Sequence, residues 1–167
     1  MRAQRERRFR TVADEATPAI GAYLKRRIYP MSHSDVDDLV EEVLIIAWRR
    51  LDDIPLGAEV PWLIGVARNV LRNAQRKYRR GIAANARMVA PHSDPSAEDN
   101  VIADQAVRGA LEALSDDDRD IVLLHAWDGR SADEIALILG ITTNAAAVRL
   151  SRAQDRFRKH FTDVPVS

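Results

Sequence analysis

The chain of 167 residues has no cysteine. Disulfides, thiol nucleophiles and thiolate metal sites are excluded, and with them any fold that needs covalent staples. Aromatic residues are scarce, at three each of Trp, Tyr and Phe, so any core must be small and built from Leu, Ile, Val and Ala. Seven glycines and seven prolines punctuate sparsely, and no run alternates apolar and polar residues as a half-buried strand would. An all-α protein is expected. The longest apolar runs, such as "VLIIAW" at 43–48, fall far short of the roughly 20 residues that span a bilayer, and no membrane insertion is expected. The opening "MRAQRERRFR" is too charged for a secretory signal, which makes the cytoplasm the expected location. His33, His92, His125 and His160 are scattered without metal-ligand spacing, and neither a metal nor any other cofactor is expected.

What the chain does have is charge, 25 basic against 25 acidic residues, arranged in blocks. Residues 2–10 hold five Arg and one Glu; 35–42 hold five acids and no base; 68–80 hold six bases and no acid; 94–104 hold four acids; 149–159 hold five bases and one Asp. Two cationic blocks on separate halves of the chain suit two contacts with a single polyanion.

Helical spacing and capping signals set out the elements. A first helix is expected over about 10–28, closed by Tyr29-Pro30. A second starts near Ser34, with Asp37 three residues on, and carries Leu39, Val40, Val43, Leu44, Ala47 and Leu51 on one face. Residues 52–61 contain two prolines and a glycine and read as a loop, with Pro61 as first residue of the next helix. That helix, Trp62–Arg80, sorts Leu63, Val66, Ala67, Val70, Leu71 and Ala74 onto one stripe and Arg68, Arg72, Arg76 and Arg79 onto another. Residues 81–103 lack sustained periodicity and read as a linker, helical at most in part, between a domain at 1–80 and a domain at 104–167. Four short helices follow, over about 104–114, 116–127, 132–139 and 143–160, with Ser115, Ser131 and Thr142 as caps, a capping box from Ser131 to Glu134, and Gly140 at a helix end.

"SADEIALILGITTNAAAVRLSRAQDRFRKHF" has the layout of a helix-turn-helix: a short helix, a tight turn through Gly140 and Ile141, and a longer helix. Ala146, Leu150, Ala153 and Phe157 form the inward stripe of that longer helix, while Ala145, Arg149, Arg152, Arg156 and Lys159 face outward. If the helix enters a groove, its first turn meets base edges and later basic residues hold phosphates. Thr143, Asn144, Ala145 and Arg149 are then candidates for base contact, and Arg152 and Arg156 for phosphate contact. Spacing alone fits a solvated amphipathic helix equally well; the excess of one sign favours DNA.

"LSDDDRDIVLLHAWDGRSADEIALILGITTNAAAVRLSRAQDRF" resembles the C-terminal promoter-reading domain of bacterial sigma factors. "DVDDLVEEVLIIAWRRL" followed by "PWLIGVARNVLRNAQRKYRR" resembles their N-terminal domain, in the same order. With two domains and a short linker, the pattern is most similar to the extracytoplasmic-function (ECF) sigma factors of the sigma-70 family. The resemblance implies two small helical domains joined by a flexible linker, the second holding the helix-turn-helix that reads the minus-35 element. It implies core RNA polymerase as partner, through its clamp coiled coil and its flap, together with promoter DNA and an anti-sigma factor. Asp35, Asp38, Glu41 and Glu42 match the clamp-docking stretch, with Glu41 where relatives usually carry Gln. Acids in a first helical turn also complement the helix dipole, and Asp35 and Asp37 alone would need no other reason. Residues of 53–60 match the pocket for a minus-10 base turned out of the stack, lined by Asn69 with Arg68 and Asn73. Arg72, Arg76, Lys77, Arg79 and Arg80 match the track for its phosphates. Trp62, beside Leu63 and Val66, reads as core.

Two other functions compete. A stand-alone helix-turn-helix regulator would need a dimer seam or effector pocket, and no heptad seam is visible. An enzyme would use "DVDD" at 35–38 or "DDD" at 116–118 as metal ligands, but capping explains those acids and neither group pairs with a nearby histidine. The closing "TDVPVS" is too short for a further domain.

Overall fold

The structure, a computed structural model, describes residues 1–84 and 101–162, which are helical with no strand among them. The expected linker from 85 to 100, His92 and the closing residues 163–167 lie outside the described residues. The chain divides into two compact units, Met1–Ser93 and Asp94–Ser167.

The first unit is a three-helix bundle of α1 (Arg2–Arg27), α2 (Val36–Arg49) and α3 (Glu59–Ala84), each packed on the other two. Helix α1 begins eight residues before the expected start. Its opening Arg, Ala, Gln and Glu residues favour helix, an ion pair joins Arg2 to Glu6 at 3.1 Å, and Phe9 packs edge-on against Trp48 with ring centroids 5.2 Å apart. Tertiary docking thus extends a helix whose apolar periodicity starts only near Val12. The core is aliphatic apart from Tyr23: Ile20, Leu24, Leu39, Val43, Ala47, Leu63, Ile64, Ala67 and Leu71 are buried around it. Complete burial of one Leu or Ile stabilises by about 1.5–3 kcal/mol. Val40, Leu44, Val66 and Ala74, expected on the inward stripes, are half-buried at their edges.

Capping at α2 differs from expectation by two residues. Ser32, not Ser34, forms the box: its hydroxyl accepts from the Ser34 amide at 3.3 Å and its own amide donates to Asp35 Oδ2 at 3.0 Å. A 3-10 turn at His33–Asp35 therefore precedes the α-helix. Helix α3 is longer than expected at both ends. Its first turn starts at Glu59, so Pro61 is the third helical residue, still among those whose amides need no intrahelical acceptor. Beyond Arg80 it runs through Gly81 to Ala84, where Ile82, Ala83 and Ala84 carry propagation past a glycine that costs about 0.5–1 kcal/mol relative to Ala. At the opposite end of the expected linker, residues 101–103 already belong to a helix.

The second unit comprises α4 (Val101–Glu112), α5 (Asp116–Ala126), α6 (Ala132–Leu139) and α7 (Thr143–Thr162), with α7 packed on the other three. Arg119 closes the end of α4, its guanidinium donating to the carbonyls of Leu111 at 2.8 Å, Leu114 at 3.1 Å and Glu112 at 3.3 Å. Ser115 caps α5 by accepting from the Asp118 amide at 3.2 Å. Ile121, Leu124, Ile135, Ile138, Ala146, Leu150 and Ala153 make a compact core with Ala110 and Leu114. The expected inward residue Phe157 is half-buried and stacks on Phe161 at 5.9 Å. Among the described residues no single helix is long and apolar enough to cross a membrane.

Candidate nucleic-acid interface

Helix α3 carries the first cationic face. Asn69, Asn73, Arg76 and Arg80 are all exposed and follow the i, i+4, i+7, i+11 line of one helical face. That line covers about 16 Å at 1.5 Å per residue. Lys77 and Arg79 flank it and are exposed. Arg68 and Arg72 differ: both are half-buried and each interacts with other groups in the chain, so the uniform stripe expected at 68, 72, 76 and 79 begins in earnest only at Arg76. Gln75 locks the helix in place, its amide donating to the carbonyls of Arg27 and Tyr29 at 2.9 Å each. The Arg27 carbonyl lies in the last turn of α1 and the Tyr29 carbonyl just beyond it, where helical donors are lacking.

The connection from α2 to α3 runs directly into the first turn of that helix. Leu51 and Ile54 are buried, whereas Leu56 is 83% exposed, next to Gly57 at φ +80°, a backbone state that favours glycine. Trp62 is half-buried, not core as expected, with the Arg50 guanidinium 5.0 Å from its ring centroid. Arg50 also pairs with Asp53 at 3.0 Å.

On α2 the expected docking acids divide. Asp38, Glu41 and Glu42 are exposed, while Asp35 is half-buried and occupied in the Ser32 cap. Ile45, 46% exposed, continues the acidic face one turn on; helical spacing already left it off the inward stripe.

In the second unit the turn forms as the residues dictate. Ser131 and Glu134 close the capping box at 2.9 and 3.2 Å. Gly140 adopts φ +67°, and a Schellman pair joins the Ile141 amide to Ala136 O at 3.0 Å and the Gly140 amide to Leu137 O at 3.4 Å. Thr142 Oγ1 then accepts from the Ala145 amide at 3.1 Å and starts α7. The chain bends by 103° between α6 and α7, within the range of helix-turn-helix units.

Thr143, Asn144, Arg149 and Arg152 are exposed on α7, as a groove-entering helix requires. Ala145 is half-buried rather than fully outward. Val148, 40% exposed, and the exposed Ser151 share the outward face instead; nothing in their residue types announced it. Arg156 is tied to Asp118 at 2.6 Å, the acid only 18% exposed, so its guanidinium is oriented by α5 before any ligand arrives. Asp116 pairs with Arg119 at 3.2 Å; all three acids at 116–118 are thus engaged within the chain. Among the described residues no cluster of His, Asp or Glu is placed to hold a metal ion.

One helical bundle with an exposed cationic face and a second unit built round a helix-turn-helix define a modular, helical DNA-facing protein. Residues 15–81 match Sigma-70 region 2 and residues 104–155 match Sigma-70, region 4. The chain is 34% identical over 131 residues to the probable RNA polymerase sigma factor RfaY of Xanthomonas campestris pv. campestris, covering 73% of this chain and 33% of that protein. It is 29% identical over 122 residues to the ECF RNA polymerase sigma factor EcfG of Rhodopseudomonas palustris, covering 72% of this chain and 67% of the relative. This chain thus spans a third of the length of RfaY and two thirds of that of EcfG. In fold it is similar to the sigma factor RpoE of Bartonella quintana, solved in complex with the anti-sigma factor NepR, with a TM-score of 0.67, 24% identity, and coverage of 94% of this chain and 98% of that one. The chain belongs to the sigma-70 family of RNA polymerase sigma factors, within its ECF group. That family is one of transcription initiation factors.

Proposed function

We propose that the chain joins core RNA polymerase in the cytoplasm and directs it to promoters, the first unit engaging the minus-10 element and the second the minus-35 element. The observation that carries this reading is the pair of exposed cationic helical faces, on α3 from Arg76 to Arg80 and on α7 at Arg149 and Arg152, each inside a matched sigma region. Asp38, Glu41 and Glu42 dock on the polymerase clamp coiled coil, and the second unit meets the flap. Residues 53–60, the end of the connection and the start of α3, receive an extruded base together with Asn69 and Asn73, and Arg76, Lys77, Arg79 and Arg80 draw in the released strand. Arg68 and Arg72, already engaged within the chain, shape the pocket wall instead of carrying free charge. Thr143, Asn144 and Arg149 read base edges in the major groove while Arg152 grips a phosphate. The protein supplies recognition and carries out no bond chemistry of its own; an anti-sigma factor regulates it by covering its polymerase-facing surface.

Purified chain added to core bacterial polymerase and fragmented genomic DNA from its source should yield transcripts whose starts share two upstream elements. Starts that scatter at random, or equal those of core polymerase alone, would discard the assignment. Engaging about four to six phosphates should give a log–log salt slope of roughly −3 to −5.

A further inference from the structure

The arginine-rich opening of α1 has no part in the reading above, yet its side chains reach the connection between α2 and α3. Arg5 Nη1 meets Asp52 Oδ2 at 2.6 Å and Arg5 Nη2 donates to Trp48 O at 2.9 Å. Arg8 Nη2 donates to Ile54 O at 2.8 Å. Phe9, one helical turn from Arg5, packs on Trp48, and the Arg5 guanidinium lies 5.3 Å from the same ring. Trp48 lies in the last turn of α2 and Ile54 follows the 3-10 turn at Leu51–Asp53. Carbonyls at such ends lack helical donors, and both here are satisfied from α1. The base of the connection is held while its tip, Leu56 and Gly57, stays exposed.

Arg8 is an expensive way to fill that space. Its Nε is buried without a hydrogen-bond partner, and leaving a buried charged donor unsatisfied opposes folding. A methionine of similar reach would remove that penalty but leave the Ile54 carbonyl without its donor. The guanidinium is therefore explained by what it holds rather than by the stability it adds. Arg7 and Arg10, on the same helix, are exposed and supply a control of equal charge.

We propose that Arg5 and Arg8 are positioning residues which, through Trp48 O, Asp52 and Ile54 O, hold the 51–58 connection in the shape that selects the base at the minus-10 element. This rests on the reading of that connection as the pocket for an extruded base.

The test assembles the full chain with core polymerase and measures transcription from a promoter library randomised at both elements. Wild type should discriminate against a mismatched minus-10 base by roughly 5- to 150-fold. Arg8→Met should reduce that to about twofold, with Arg5→Met close behind and Asp52→Asn showing part of the loss. Preference at the minus-35 element should stay unchanged in all three, and Arg7→Met and Arg10→Met should behave as wild type. Retained minus-10 preference in both Arg8→Met and Arg5→Met would overturn the proposal, as would an equal loss in Arg10→Met, which would assign the effect to charge alone. A wild-type chain that supports no polymerase-dependent start overturns the sigma reading itself. Hydrogen exchange on the free chain keeps the clamp testable even then: the Asp53, Ile54 and Ala58 amides should exchange about tenfold faster in Arg8→Met while α3 amides keep their protection. Unchanged exchange at those amides counts against the clamp. Should Arg8→Met fail to fold, Arg5→Met and Asp52→Asn, which alter partly exposed groups, carry both measurements.

Discussion

The two cationic helices hold similar numbers of basic residues and organise them in opposite ways. On α3 the block from Arg76 to Arg80 is exposed, and among the described residues no acid pairs with it. On α7, Arg156 is fixed by Asp118 at 2.6 Å and Arg158 by Asp155 at 2.5 Å, which leaves Arg149, Arg152 and Lys159 as its exposed cations outside those pairs. A count of charges would rate the two faces equal. Their fields are not: an arginine already paired contributes little long-range potential and cannot swing onto a phosphate without giving up its partner. The α3 face therefore suits a mobile single strand that any base sequence can occupy, and the α7 face suits a duplex groove met in one register.

The comparison can be broken most directly on α3. Exchanging both Arg76 and Arg80 for Ala should lower promoter affinity of the polymerase complex about 25- to 60-fold at 0.1 M salt and flatten the salt slope by about 1.4–1.8, with little regard to sequence. Filter binding across a salt series reads both quantities; a slope that does not move would remove the phosphate role from this face. On α7, Arg149→Ala should cost about 1–3 kcal/mol of discrimination at the minus-35 element while changing the slope by no more than about one unit. Selection from a randomised element measures it, and a loss spread evenly over all sequences would reduce Arg149 to a phosphate clamp. The smallest effect is expected from Asp118→Asn. Releasing Arg156 should raise affinity for unrelated duplex by about two- to threefold and steepen the slope by up to about one unit, measured by competition with random DNA. No change would mean that Asp118 does not restrain the arginine's access to DNA.

The second unit was the more legible of the two. Its caps at Ser115, Ser131 and Thr142 and its glycine end at Gly140 formed where their residue types placed them, because each is a contact within a few residues along the chain. The first unit misled where two similar local solutions competed. Ser32 and Ser34 both precede an acid by three residues, and the box formed at Ser32. That choice occupies Asp35 in the cap and leaves Asp38, Glu41 and Glu42 as the exposed acids among those expected to dock.

Sequence alone determined the helical class, the inward stripes of α2, α3 and α7, the helix-turn-helix and the division of charge into blocks, since period and capping act over one or two turns. Tertiary structure decided which charges remain available. Arg156 is taken by an acid 38 positions away and Arg5 by one 47 positions away, and Arg8 bonds a carbonyl 46 positions away. A long cationic side chain has many rotamers and no local preference strong enough to select its partner; only packed helices bring that partner within reach.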